Sequence, residues 1–235
     1  VINGTYGLRR VARPLPRPEL VLALLALASL VLIPVHITTI YSGLPAHPLF
    51  LHVPVILIPV VAIGALALAA RPRWLERYGV ALATVSVVAL AGTLLTVGAG
   101  LALRSALHLG AGGFGPAALI ARHAHSASIL RDLVIAFTAV AIVSVLAHRI
   151  AAGQETGRER LDRALARSGT LRALRVSLAA LAIACAYFVF HTGDLGAKAV
   201  WQGRLGGRPG FGGAGGFAPP GNGGALPAPR GAPTP

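Results

Sequence analysis

Long apolar runs alternate with short basic segments along this chain. Five runs are long enough to cross a bilayer, whose core takes about 20 helical residues at about 1.5 Å rise each. They cover residues 20–41, 49–70, 79–103, 133–150 and 174–191. The pattern predicts an all-α fold, a polytopic membrane bundle of five transmembrane helices. One extra N-terminal helix, residues 20–43, precedes a four-helix core, residues 44–203. A basic, proline-broken leader, residues 1–19, comes first. The run after it is too long, and lacks the small-residue cleavage context, for a signal peptide. From residue 204 to residue 235 the chain is rich in glycine and proline, an extended tail that cannot bury a core of its own. No internal repeat is obvious.

Composition narrows the class. Hydrophobic residues make up 55% of the chain and charged residues 12%, against about 25% charged in soluble domains. A disordered chain and an ordinary cytosolic enzyme are both excluded. The net charge of +14 would by itself suit nucleic acid. The basic residues, however, sit between the apolar runs, so the expected partners are lipid and other membrane subunits, not nucleic acid. The single cysteine, Cys185, leaves no disulfide framework and no CxxC metal site.

Arginine placement predicts orientation. The leader carries Arg9, Arg10, Arg13 and Arg17, whereas residues 42–48 carry no Arg or Lys. Arg71, Arg73 and Arg77 follow the second run, and the segment before the last run holds Arg149, Arg158, Arg160, Arg163, Arg167, Arg172 and Arg175. By the positive-inside rule this is a multi-pass protein of a bacterial cytoplasmic membrane, with its N-terminus inside and its C-terminus outside. Glu159 and Arg163, four residues apart, predict a short charged helix at the inner surface.

In that orientation seven of the eight histidines gather at the outer face: His36, His47, His52, His108, His123, His125 and His191. Only His148 lies inside. Haem iron takes axial imidazoles from two helices. Zinc and copper sites more often add Cys or Met, and the chain has no Met and no outer Cys. The expected cofactor is therefore haem b. His47 and His52 stand five residues apart, about 140° around a straight helix, and cannot share one site. His125, Ser128 and Asp132 form a polar stripe that favours His125 over His123 as the inward imidazole. Asp132 either orients an imidazole or pairs with Arg131. His52 and His125 are accordingly the expected axial pair and metal ligands. His36 and His191 are candidates for a second pair or for supporting roles. Arg104, Arg122 and Arg131, with Lys198, are placed to neutralise propionates. His47 and His123 read equally as interfacial rings in water. Gly64, Gly92, Gly98 and Gly100 either leave room for a flat macrocycle or let helices pack closely.

The segment Leu44-Pro-Ala-His47-Pro48-Leu-Phe-Leu-His52-Val-Pro54 resembles the opening of a bacterial membrane family, domain of unknown function 2231. His191-Thr192-Gly193-Asp194-Leu195-Gly196, running on to Val200-Trp201, is similar to that family's closing stretch, as is the helix from His125 to Arg149 to its third core helix. Asp194 stands where the family often has His, and Ala197 where it often has Gly. The resemblance covers about residues 44–203 and implies a four-helix core whose histidines suggest haem.

The function expected is a b-type haem-binding subunit of a bacterial respiratory or other redox complex, passing electrons near the outer face rather than acting as an enzyme in its own right. The alternatives are a structural accessory subunit without cofactor and a transition-metal handling protein. The tail, residues 204–235, is expected to lie against a partner subunit, with Phe211 and Phe217 filling its pockets. Orientation is directly testable. A cysteine at Ser42 should react with an impermeant reagent added to intact cells and one at Ser168 should not; the reverse pattern would put the histidines inside.

Overall fold

The computed structural model describes residues 18–40, 43–107 and 116–201. The leader through residue 17, His108 and the tail with Phe211 and Phe217 lie outside the described residues. Seven α-helices occur within them: α1 (Pro18–Ser29, continued by a 3-10 turn at Leu30–Leu32), α2 (Ala46–Phe50), α3 (His52–Ala70), α4 (Pro72–Ala106), α5 (Pro116–Ala151), α6 (Glu159–Ala166) and α7 (Ser168–Trp201). Four of the resulting segments are long and apolar enough to span a bilayer: Ala46–Ala70, Pro72–Ala106, Ala117–Ala151 and Ser168–Trp201. The helices overrun the apolar runs because hydropathy marks the lipid-embedded part of a helix, while the hydrogen-bond ladder continues through Arg73, Arg122 and Lys198.

The N-terminal apolar helix is shorter than the run that predicts it, ending at Leu32 rather than near residue 41. Pro34 has no N–H to continue the ladder, and Ile33 before it, still at φ −56° and ψ −48°, ends the last turn with its N–H on the Leu30 carbonyl. Beyond it the chain is largely extended. The Ala46 N–H donates to the Thr38 carbonyl at 3.0 Å, and the Ile40 N–H to that of Leu44 at 2.9 Å. Gly43 closes this turn at φ 75°, where a side chain would be strained. The segment thus hands the chain from α1 to α2.

The long helices form a ring. α3 packs on α4 and α7, and α5 packs on the same two. Ile58, Leu90, Leu94, Phe137, Leu178 and Cys185 fill the centre. Ile56, Val60 and Ile63 of α3, and Ile183 and Phe190 of α7, face outward as a lipid-contacting surface. A side chain at Gly92 would collide with Val53, and one at Gly98 with the Val35 carbonyl. Both glycines therefore serve close packing, which a bilayer rewards because apolar contact alone gives helices no reason to leave lipid. α6 forms as expected, with Asp162 accepting from the Thr156 N–H at 3.0 Å. Arg163 Nε donates to the Glu159 backbone carbonyl at 3.3 Å, and no ion pair joins the two side chains among the described residues.

α1 lies across α4 and α5, with Leu20, Leu24 and Leu27 turned outward. Its docking end carries Glu19, only 4% exposed, whose Oε1 lies 2.7 Å from Arg149 Nη1 of α5. A buried carboxylate is stable only when paired, and removing the partner of a buried pair costs about 3–5 kcal/mol. Arg149→Ala should therefore release α1. Hydrogen exchange in detergent should show lost protection over residues 18–32 while α3, α4, α5 and α7 stay protected. Unchanged protection of α1 would mean that apolar contacts alone hold it.

Candidate functional site: a histidine pair cradled by neighbouring helices

Two imidazoles meet at one end of the bundle. His47 follows the fully buried Ala46 at the start of α2, and His123 lies two turns into α5. Their ring centroids are 6.2 Å apart and the rings stand at 87°. Each is held from the side by a different helix. His47 Nδ1 donates to the Thr96 carbonyl of α4 at 3.0 Å. His123 Nδ1 donates to the Thr192 carbonyl of α7 at 2.8 Å. A carbonyl can only accept, so each Nδ1 carries the proton. Each Nε2 stands outside these two hydrogen bonds, and it is the atom through which such a ring would ligate a metal.

Both rings rest on glycines. A Cβ at Gly100 would lie 3.0 Å from His47 Nδ1, and one at Gly196 would lie 3.1 Å from Nδ1 and Cε1 of His123. A buried polar contact locks the second cradle to α5: Ser126 Oγ and Thr192 Oγ1 are 2.7 Å apart. Thr96 turns its hydroxyl back onto its own helix, donating to the Gly92 carbonyl at 2.7 Å.

Beside the second cradle, α5 and α7 enclose an open hollow of about 380 Å³ lined by Arg122, His125, Ser126, Ile129, Phe188 and His191. His191 stacks on Tyr187 at 5.7 Å. Ser126 belongs both to this wall and to the contact with Thr192, so the hollow adjoins the histidine pair.

The polar stripe on α5 faces away from the bundle centre, not into it. His125 is exposed, Ser128 Oγ donates to the His125 carbonyl at 2.7 Å, and Asp132 pairs with Arg131 at 2.9 Å. His123 is the α5 imidazole that reaches another helix. His52 is exposed, with Nδ1 3.3 Å from the Leu49 carbonyl; among the described residues no hydrogen bond or ring contact joins it to His125. His36 is exposed too, 2.7 Å from the Pro34 carbonyl. Arg104 is half-buried on the last turn of α4, and Lys198 is committed to Asp194 at 2.6 Å. His148 is buried at the opposite end, on the Ser144 carbonyl at 2.8 Å. Among the described residues no group of three or more His, Cys, Asp or Glu is placed to hold a metal ion.

Four apolar spanning segments, a lipid-facing exterior and a polar pair drawn inward define a multi-pass helical membrane protein. Residues 43–209 match the family described as predicted membrane protein (DUF2231), and the chain belongs to that family. No curated protein and no solved structure matches it.

The Ser126–Thr192 contact has a measurable consequence. Thr192→Val strands the Ser126 hydroxyl but keeps the backbone carbonyl that receives His123. Such cross-helix bonds in membranes are worth about 0.6 kcal/mol on average, up to about 2. Thr192→Val should destabilise the bundle by about 1 kcal/mol in reversible detergent unfolding, with the proton still on Nδ1 of His123. Loss of that tautomer in nitrogen NMR would show that the hydroxyl pair, not the carbonyl, orients the ring.

Proposed function

We propose that the chain is a b-type haem-binding integral subunit of a bacterial redox assembly, with His47 and His123 as its axial ligands. The spacing of this pair carries the proposal. Two imidazoles from different helices, with ring centroids 6.2 Å apart, would hold one iron between them. The donor set fits iron in a second respect. A carbonyl behind each Nδ1 fixes the tautomer and aims the ring, the usual support of a metal-bound histidine. A bound haem supplies reversible one-electron transfer, and the protein supplies its ligands and surroundings. Arg122, on the wall of the adjoining hollow, is the side chain best placed to meet a propionate. Arg131 and Lys198, each already paired with a carboxylate, are less suited to that role.

The remaining parts of the reading follow from charge and composition. The arginine distribution supports a cytoplasmic-membrane protein whose histidine end faces outward. The tail, with Phe211 and Phe217, is the element proposed to join a partner subunit.

An absorption spectrum of the purified protein tests the central point. The reduced parent should show sharp α and Soret bands. His47→Ala and His123→Ala should each convert the iron to a high-spin form with a broadened, shifted Soret band, while His52→Ala, His125→Ala and His148→Ala keep the parent's spectrum. Low-spin spectra in the first two variants, and loss in the His52 and His125 variants, would return the axial role to the pair expected from sequence. A featureless parent spectrum in an intact assembly would support a structural accessory subunit, and bound copper or zinc a metal-handling protein.

A further inference from the structure

The two histidine cradles are built alike. His47 sits at the beginning of the first long helical segment and reaches the carbonyl of Thr96 near the end of the next. His123 sits near the beginning of α5 and reaches the carbonyl of Thr192 near the end of α7. In each case the residue four positions beyond the accepting threonine is a glycine on which the imidazole rests: Gly100 in one, Gly196 in the other. Exchanging α3 with α5 and α4 with α7 turns the ring of helices onto itself and preserves every neighbour relation in it. The histidine and its threonine are 49 residues apart in the first half and 69 in the second. α6 and its loops, absent between α3 and α4, occupy most of the extra length, and the longer α5 the rest.

The Thr-x3-Gly spacing has a physical cause. A helix carbonyl points along the axis at the N–H four residues ahead, which takes one of its two lone pairs. A second donor must come in from the side, past the Cβ of that same later residue. Glycine at that position leaves the flank open for a ring as wide as imidazole; a slim hydroxyl manages without it, as Thr138 Oγ1 does in donating to the Ser86 carbonyl at 3.3 Å with Leu90 four residues ahead. At both sites an alanine Cβ would stand 3.0–3.1 Å from the ring, so the imidazole would have to yield by a few tenths of an ångström.

We infer that the four-helix core is an internal duplication, and that Gly100 and Gly196 are equivalent positioning residues which hold His47 and His123 for one ligand on the pseudo-twofold axis. The contact between the two rings supports the axis: equivalent residues of two halves touch only where the axis passes between them. Both halves begin at the same end of the bundle, so the axis runs along the membrane normal, the arrangement of parallel repeats in membrane proteins. The threonine side chains do different things in the two halves, so the shared element is the carbonyl and the glycine, not the hydroxyl. That the ligand is haem iron rests on the function proposed above; the cradles themselves do not.

The test uses the full-length protein in detergent, first free of haem and then loaded with it. In the haem-free parent, nitrogen NMR of labelled histidine should find His47 and His123 locked with the proton on Nδ1, alongside His148 on the Ser144 carbonyl, whose signal serves as an internal reference. Gly100→Ala and Gly196→Ala should each shift one of the first two signals, and Gly100→Val and Gly196→Val should each release one of those two rings to tautomer averaging. Gly193→Val, where a side chain meets nothing within 4 Å, is the folding control. In the loaded protein each Val variant should retain haem about 10–100-fold more weakly, the range for losing an outer-shell partner of a ligand. Locked signals that respond to the glycine variants in a protein that takes up no haem would uphold the positioning role and overturn the haem reading. A variant that leaves its histidine's tautomer unchanged overturns the positioning role of that glycine. A response from one glycine without its counterpart overturns the equivalence of the halves.

Discussion

Close approach of helix backbones is the constraint on which this structure depends. Lipid tails satisfy an apolar side chain as well as another helix does, so helices stay together through tight packing and the few polar contacts that tight packing permits. Where one helix lacks a side chain, the neighbour comes within reach of its backbone. Val53 fits against Gly92, the Val35 carbonyl against Gly98, and the two imidazoles against Gly100 and Gly196. A larger residue at any of these four positions pushes two elements apart. At the last two it also disturbs the carbonyl contact that the histidine makes on another helix.

The polar groups divide between the two ends of the bundle according to their cost. At one end a full charge, Glu19, is buried against Arg149 and fastens the N-terminal helix to α5. At the other end the inward polar groups carry no acid or guanidinium: two imidazoles, two helix carbonyls and a Ser–Thr pair. Carbonyls in a helix already hold one hydrogen bond and keep a free lone pair, so they accept an imidazole N–H without any ion being desolvated.

The sequence by itself determined the class and the outline. Runs of about 20 apolar residues have no other stable fate than helices in lipid, since every backbone group must be satisfied within the segment. The motif around His47 and His52 pointed to the right family, and the family match over residues 43–209 lies close to the expected core. The gathering of histidines was visible as well. What only the tertiary structure decided was which imidazole turns inward. His123 and His125 are two residues apart on one helix, and helix geometry says that they diverge without saying which way. That depends on the rotation of α5 about its axis, set by Phe137, Val134 and Leu130 packing into the centre. The stripe through Ser128 and Asp132 lies on the outer side of α5, where Asp132 meets Arg131 and Ser128 its own helix. The duplication stayed hidden for a related reason. It resides in a carbonyl and a missing side chain, repeated at 49- and 69-residue separations, and a backbone oxygen has no letter in the sequence.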